Sequence, residues 1–194
     1  MKKFTKYILF ISLGLLCSCS DYLDIVPDNV TTLDIVFNNK NTAQRYLANC
    51  YHFVPDHGSV KRIPGMGAGH ECWFYTDKDS YFDNEVSFYI ARGLQNTNAP
   101  YANYWDGEGG SKLPMFRAIR ECNIFLSYVR DQHKVNDLTD SERKRWIAEV
   151  NVLKAYYHFF LFEHYGPIPI VDEALPVSTS SEGVKVTRMP VDQV

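Results

Sequence analysis

Two apolar stripes at helical spacing, joined by a short polar link, constrain this chain more than any other feature. Met115, Ile119, Cys122, Leu126 and Val129 recur at steps of four and three, the interval that stacks side chains on one face of an α-helix. Trp146, Val150, Leu153, Tyr157, Phe160 and His164 lie along one face in the same way. The link between them, Asp131 to Leu138, is polar, and Thr139-Asp140-Ser141-Glu142 forms a capping box that starts the second helix. Gly166, followed by Pro167, stands where a left-handed glycine ends a helix. Each helix must bury its stripe, and so short a link makes antiparallel neighbours. The expected fold class is therefore all-α, built from helical hairpins. A third stripe, Ala43, Leu47, Cys50 and Val54, follows a cap at Asn41 or Thr42 and ends at Pro55. Ile168 to Val171 reads as extended, and Pro169 bars it from a central strand.

Residues 56 to 112 interrupt this periodicity. Most of the glycines fall there, from Gly58 through Gly65, Gly67 and Gly69 to Gly107, Gly109 and Gly110. So do many aromatics, in a chain whose aromatic content reaches 14%. A long irregular insertion in a compact domain is functional or disordered, and this aromatic content argues for function. Gly65-Met66-Gly67-Ala68-Gly69 lacks the Lys-Ser/Thr of a phosphate-binding loop and reads as a flexible loop. His70-Glu71-Cys72 has metal-ligand residue types, but no second cluster completes a site, so neither metal nor cofactor is expected.

The N-terminus has the layout of a secretory signal. A basic segment, Met1 to Lys6, precedes a ten-residue apolar core, Tyr7 to Leu16, too short to span a bilayer. Leu16-Cys17-Ser18-Cys19 fits the small-residue box of a bacterial lipoprotein signal, with Cys19 as the acylated new N-terminus. Cleavage there removes Lys2, Lys3 and Lys6 from a chain whose net charge is already −3. An acidic protein of this kind is a poor partner for nucleic acid. The expected organisation is a signal peptide over 1–18, an extended tether over 19–41 and a helical domain over 42–194. The remaining cysteines, Cys50, Cys72 and Cys122, show no CxxC spacing, and two of them fall on apolar faces. They read as small buried hydrophobes with free thiols.

The string AEVNVLKAYYHFFLFEHYGPIPIVDE, Ala148 to Glu173, resembles the signature helix and exit loop of the SusD/RagB outer-membrane nutrient-binding lipoproteins. Ala148, Glu149, Leu153, Ala155, Tyr156, Phe159, Leu161, Tyr165, Gly166, Pro169 and Val171 carry the match, and Lys154 stands where that family more often has Arg. CSDYLDIVPDN resembles the family's lipidated start. Trp105 with Met115 to Asn123 resembles its "W … Y..I..aN" helix, and residues 187 to 194 its lead into a further helix. Family members are typically much longer, so the chain looks like the N-terminal portion of one, or a truncated product. On its own it is expected to be partly unfolded or oligomeric. The resemblance implies a tetratricopeptide-like all-α fold whose irregular, aromatic-rich loops form a ligand site, part of it supplied by a C-terminal half. It implies a non-catalytic protein, lipid-anchored on the outer face of the outer membrane. Such a protein binds glycan and passes it to a SusC-like TonB-dependent porin.

A glycan binder needs flat aromatics with polar tips beside hydrogen-bonding groups. Trp73, Tyr75 and Tyr81, with Asp79 and Asn84, supply that mixture and are the candidate ligand residues. Trp105 is a weaker candidate, because it introduces a helix stripe and is expected to pack. Tyr156, Tyr157, Phe159 and Phe160 read as core. Two other classes remain open. One is a helical protein-interaction module that binds no sugar. The other is a glycosidase using two of Asp77, Asp79, Asp83, Glu85, Asp106 and Glu108, whose carboxylates would need a defined separation across a cleft.

Overall fold

The computed structural model describes residues 32–59, 64–65, 67–69, 86–107, 112–176, 179, 183 and 186–194. Among these, the regular structure is helical: α1 is Lys40–Tyr51, α2 Val86–Ala91, α3 Met115–Arg130 and α4 Asp140–Tyr165. A single helical turn, Leu33–Val36, precedes α1, and a 3-10 turn, Val191–Gln193, lies near the end.

The two stripes form the expected hairpin. Met115, Ile119, Cys122, Leu126 and Val129 are all buried, joined by Ala118, Asn123 and Phe125. Phe125 near the end of α3 meets Trp146 near the start of α4, and Trp105 just before α3 meets Tyr165 at the end of α4. The two helices are therefore antiparallel. A helix of α3's length is marginal alone in water. Its buried face, at about 1.5–3 kcal/mol per large apolar side chain, is what holds it.

The α4 boundaries follow from its caps. The Thr139 hydroxyl accepts from the Glu142 N–H, and the Glu142 carboxylate accepts from the Thr139 N–H at 3.1 Å, completing the capping box. Gly166 has φ 68° but ψ −129°, so the glycine is required, although the conformation is not the left-handed one expected. The predicted face is correct at Trp146, Val150, Leu153, Tyr157 and Phe160. His164, placed on that stripe, is exposed at its edge, with its ring edge-on to Tyr104 and tilted against Phe160. Phe159, read as core, is 58% exposed, whereas Phe160 is 1% exposed.

At α1 the sequence expectation shifts by a few residues. The cap is Asn39, whose side chain accepts from the Thr42 N–H at 3.1 Å. Val54 lies beyond the helix and is exposed, and Phe53 is buried in its place. The stretch expected to be extended as far as residue 41 turns helical at Leu33, and Phe37 is fully buried. Phe37 stacks on Tyr128 at 4.5 Å, and its carbonyl accepts from the Val135 N–H at 3.0 Å. Lys40 then pairs with Glu142, while Tyr46 donates to Glu121 and Tyr157 donates to the Cys50 carbonyl. These contacts lay α1 across both helices of the hairpin. Cys50 and Cys122 are fully buried free thiols, as expected.

Within the glycine-rich interruption, α2 is a short helix that buries Val86, Ser87 and Phe88. Gly67, expected in a flexible loop, is buried against it. A Cβ at Gly67 would lie 2.7 Å from the Ser87 Cβ. Among the described residues no helix is long and apolar enough to cross a membrane.

Candidate functional site

The open end of the hairpin is organised around Trp105. α3 begins at Pro114, which offers no side-chain cap, so the first amides of the helix need other acceptors. The preceding loop supplies them. Met115 N–H donates to the Tyr104 carbonyl at 3.0 Å and Phe116 N–H to the Trp105 carbonyl at 3.4 Å. The Tyr104 N–H in turn donates to the Tyr165 hydroxyl at 2.9 Å, and burial pushes that phenol's pKa up. Gly107 turns the chain away at φ 79°, with no room for a Cβ, which would meet Pro114 Cδ and N at 2.7 Å. Trp105 is thus fixed through its backbone. Its ring lies 4.6 Å from Phe116 and 5.5 Å, edge-on, from Tyr165, with the Arg188 guanidinium 5.3 Å from its centroid.

Two clefts share Trp105 as a wall. One, of about 540 Å³, is lined by Phe116, Arg120, Val171, Glu173 and Leu175. The other, of about 430 Å³, is lined by Gln95, Asn96, Asn103, Tyr165 and Arg188. Both volumes suit a small ligand. The first wall is closed by Arg120, which donates to the Leu175 carbonyl at 2.7 Å. The second is braced from within: Gln95 Oε1 accepts from the Tyr101 N–H at 2.7 Å, Asn96 Oδ1 from the Ala99 N–H at 2.8 Å, and Asn103 Nδ2 donates to Asp106.

The exit strap forming part of the first cleft is held by two buried polar groups. Asn123 Nδ2 donates to the Val171 carbonyl at 3.0 Å, and the Val171 N–H donates to His158 Nε2 at 3.3 Å. With Nε2 accepting, Nδ1 carries the proton and donates to the Lys154 carbonyl at 2.8 Å. His158 is therefore neutral in the fold. Burial holds its pKa below the ordinary histidine value; the hydrogen bond to the Lys154 carbonyl opposes this, the Lys154 charge adds to the depression and Asp172 opposes it.

The predicted ligand residues Trp73, Tyr75, Asp79, Tyr81 and Asn84 lie outside the described residues, as does Cys19. Of the carboxylates considered for catalysis, Asp106 is described. It is exposed and tied to Asn103. The others, Asp77, Asp79, Asp83, Glu85 and Glu108, lie outside, and so does His70-Glu71-Cys72. No group of three His, Cys, Asp or Glu side chains among the described residues could hold a metal. Trp105 does pack, as expected. Sequence reasoning missed that it also divides two clefts, because their other walls come from residues 95–103, 169–176 and 186–188, far apart along the chain.

A family model described as "Starch-binding associating with outer membrane", SusD-like, matches residues 21–194. The chain belongs to the SusD-like family. Its fold matches the crystal structure of a SusD-like protein from Bacteroides fragilis with a TM-score of 0.58 and 16% identity. The match covers 87% of this chain and 29% of that one, so the chain spans less than a third of the length of this SusD-like relative. No curated protein matches.

Proposed function

We propose that this protein binds a glycan, or a nutrient of similar chemistry, at the surface of the outer membrane without catalysing its breakdown. It then delivers that ligand to a SusC-like TonB-dependent porin. The observation that carries the reading is the pair of clefts either side of Trp105, in a chain of a family described as starch-binding. Sugars present apolar C–H faces and hydroxyl edges. Aromatic rings suit the faces, and the Arg, Gln, Asn and Glu side chains that line these clefts suit the edges. Trp73, Tyr75, Tyr81, Asp79 and Asn84 are proposed as further ligand contacts, and Cys19 as the lipid anchor, facing the exterior.

The test is retention of the full chain in polysaccharide affinity gels. An aromatic contact of about 1.4 kcal/mol corresponds to a tenfold loss. Trp105→Ala is expected to weaken retention about tenfold while Trp105→Phe keeps most of it, with helical circular dichroism as the control for folding. Unchanged retention in Trp105→Ala, Trp73→Ala and Tyr75→Ala would remove the reading. For the anchor, fatty-acid labelling should vanish in Cys19→Ala and persist in Cys17→Ala.

A second reading, a helical interaction module, is favoured by the outer side of α4, where Val152 and Phe159 are 69% and 58% exposed. Absence of glycan retention, together with loss of porin co-purification in the Val152→Glu, Phe159→Glu double variant, would favour it over the first.

A further inference from the structure

The two clefts that share Trp105 differ in charge. The first is lined by both Arg120 and Glu173. Among the described residues that line the second, Arg188 is charged, and Gln95, Asn96, Asn103 and Tyr165 are not. Arg188 is also held in place. The Met189 N–H donates to the Ile168 carbonyl at 2.9 Å, and the Arg188 guanidinium donates to the Pro167 carbonyl at 3.3 Å and lies over the Trp105 ring. Among the described residues no carboxylate pairs with it. A guanidinium carries its donors in a planar fork, and one bond to a carbonyl leaves most of them unused.

The neutral residues bias the cleft the same way, because their oxygens are already engaged. Gln95 Oε1 accepts from the Tyr101 N–H, Asn96 Oδ1 from the Ala99 N–H and Asn103 Oδ1 from the Trp105 N–H. The Tyr165 hydroxyl accepts from the Tyr104 N–H and donates to the Ala102 carbonyl. Asn96 and Asn103 direct amide N–H groups to the Leu94 carbonyl and the Asp106 carboxylate. Among the described residues no acceptor takes the Gln95 amide N–H groups. The cleft therefore offers a ligand donors, one of them cationic, and a glycan hydroxyl that must itself donate finds these oxygens occupied.

We propose that this cleft takes an acidic sugar, with Arg188 receiving the carboxylate of a uronic acid residue and the Gln95 amide as a second donor. The guanidinium fork matches a carboxylate in shape as well as charge. The Asp106 carboxylate does not line the cleft and is tied to Asn103. The chain as a whole carries a net charge of −3, so general attraction to a polyanion does not account for such binding. The proposal deepens the glycan-binding reading and rests on it.

The test is retention of the full chain in gels containing polygalacturonate, alginate or hyaluronate, each paired with the same polymer after carboxyl reduction, and in an amylose gel. At least one acidic polymer should retain the chain about tenfold more than its reduced partner, the size of one charge-assisted hydrogen bond. Arg188→Gln should bring that ratio close to one, and Arg188→Lys should keep part of it. Lys144→Gln, the same change of charge on the exposed side of α4, should leave it intact. Helical circular dichroism controls for folding. Equal retention by acidic and reduced polymers, a ratio unchanged in Arg188→Gln, or a ratio lost equally in Lys144→Gln would overturn the assignment. Retention by amylose or the reduced polymers alone overturns it and leaves the glycan-binding reading standing. Retention by none of the gels removes both.

Discussion

At the linker end of the α3–α4 hairpin, side chains close on backbone carbonyls. At the opposite end, backbone carbonyls hold a tryptophan between two clefts. Arg143 is the centre of the closed end. It is buried, and its guanidinium donates to the carbonyls of Val129 at 2.6 Å, Asp131 at 3.1 Å, Lys134 at 3.0 Å and Val135 at 3.1 Å. Val129 belongs to the last turn of α3, where carbonyls lack helical partners and a cation is favoured. Val135, at φ 51° and fully buried, holds a backbone conformation that a β-branched residue enters only when its surroundings compel it. The open end, among its described residues, spreads its polar contacts over several side chains, Arg120 on the Leu175 carbonyl, Asn123 on the Val171 carbonyl and Tyr165 on the Tyr104 N–H, and does not gather them on one buried cation. Its loop residues are fixed by the helix amides they cap, and their side chains are left to line space. The contrast separates a region that secures the hairpin from a region that presents chemistry.

The largest expected effect breaks the closed end. Arg143→Ala leaves buried carbonyls without donors, and losing such a network costs about 3–5 kcal/mol. For a chain of this size the melting temperature should fall on the order of 10 °C. The exposed neighbour Lys144→Ala should stay within about 0.5 kcal/mol. A urea titration of both variants checks this. A loss under 1 kcal/mol in Arg143→Ala would mean the linker end is secured by its apolar contacts instead.

At the open end, Gly107→Ala should cost less but reach the ligand. The strain of a positive φ together with the clash on Pro114 comes to about 2 kcal/mol. The adjustment displaces Trp105, so polysaccharide retention should drop by more than the stability loss accounts for. Gly93→Ala is the control. Its φ is 70° but nothing lies within 4 Å of the added Cβ, so it should destabilise by about 1 kcal/mol and leave retention unchanged. Equal retention in the two variants would argue that Gly107 is only a turn residue.

The hairpin was legible because helical burial has a period, and all five residues of the α3 stripe lie where the period puts them. The capping box was legible because it is local in sequence. The α1 cap was not. Asn39, Asn41 and Thr42 are all capable, and the choice is made by tertiary contacts: the Val135 N–H on the Phe37 carbonyl and Asp137 on the Lys40 N–H. Arg143 left a signal, since it sits on the buried face three residues before Trp146, but a charge there reads as a helix edge until its acceptors are known. Phe159 and Phe160 are chemically identical neighbours, and only the packing decides which one is buried. The clefts were least legible, because no periodicity links residues 95–103 with Tyr165 and Arg188.

A smaller effect should appear in the strap of the first cleft, and it is pH-dependent. His158 is neutral in the fold and accepts from the Val171 N–H, so a proton on Nε2 would oppose that N–H. Its folded pKa is lowered, chiefly by burial, so the unfolded chain binds the proton more readily. The His158 contribution is therefore present above about 6.5 and is lost as pH falls through the folded value. The Lys154 ammonium favours the neutral ring, while the hydrogen bond to the Lys154 carbonyl and the nearby Asp172 favour the charged one. In His158→Gln, whose amide oxygen can still accept, the slope of stability against pH between 7 and 5 should flatten. A slope unchanged from the parent would show that other groups control the acid response.

The smallest effect returns to the closed end and asks whether its ion pair matters apart from its hydrogen bonds. Lys40 pairs with Glu142, and both side chains are partly exposed. The hydrogen bonds from Lys40 and Thr139 lower the Glu142 pKa to about 2. A depressed carboxylate stabilises the fold above its unfolded value of 4.5, and that stability is lost as pH falls from there towards 2. Glu142→Gln can still accept from the Thr139 N–H, so the capping box survives while the charge is removed. The variant should match the parent at the lowest pH and fall slightly below it near neutrality, with the gap narrowing in high salt. If the gap is as large at pH 2 as at pH 7, the carboxylate acts through the shape of the capping box and not through its charge.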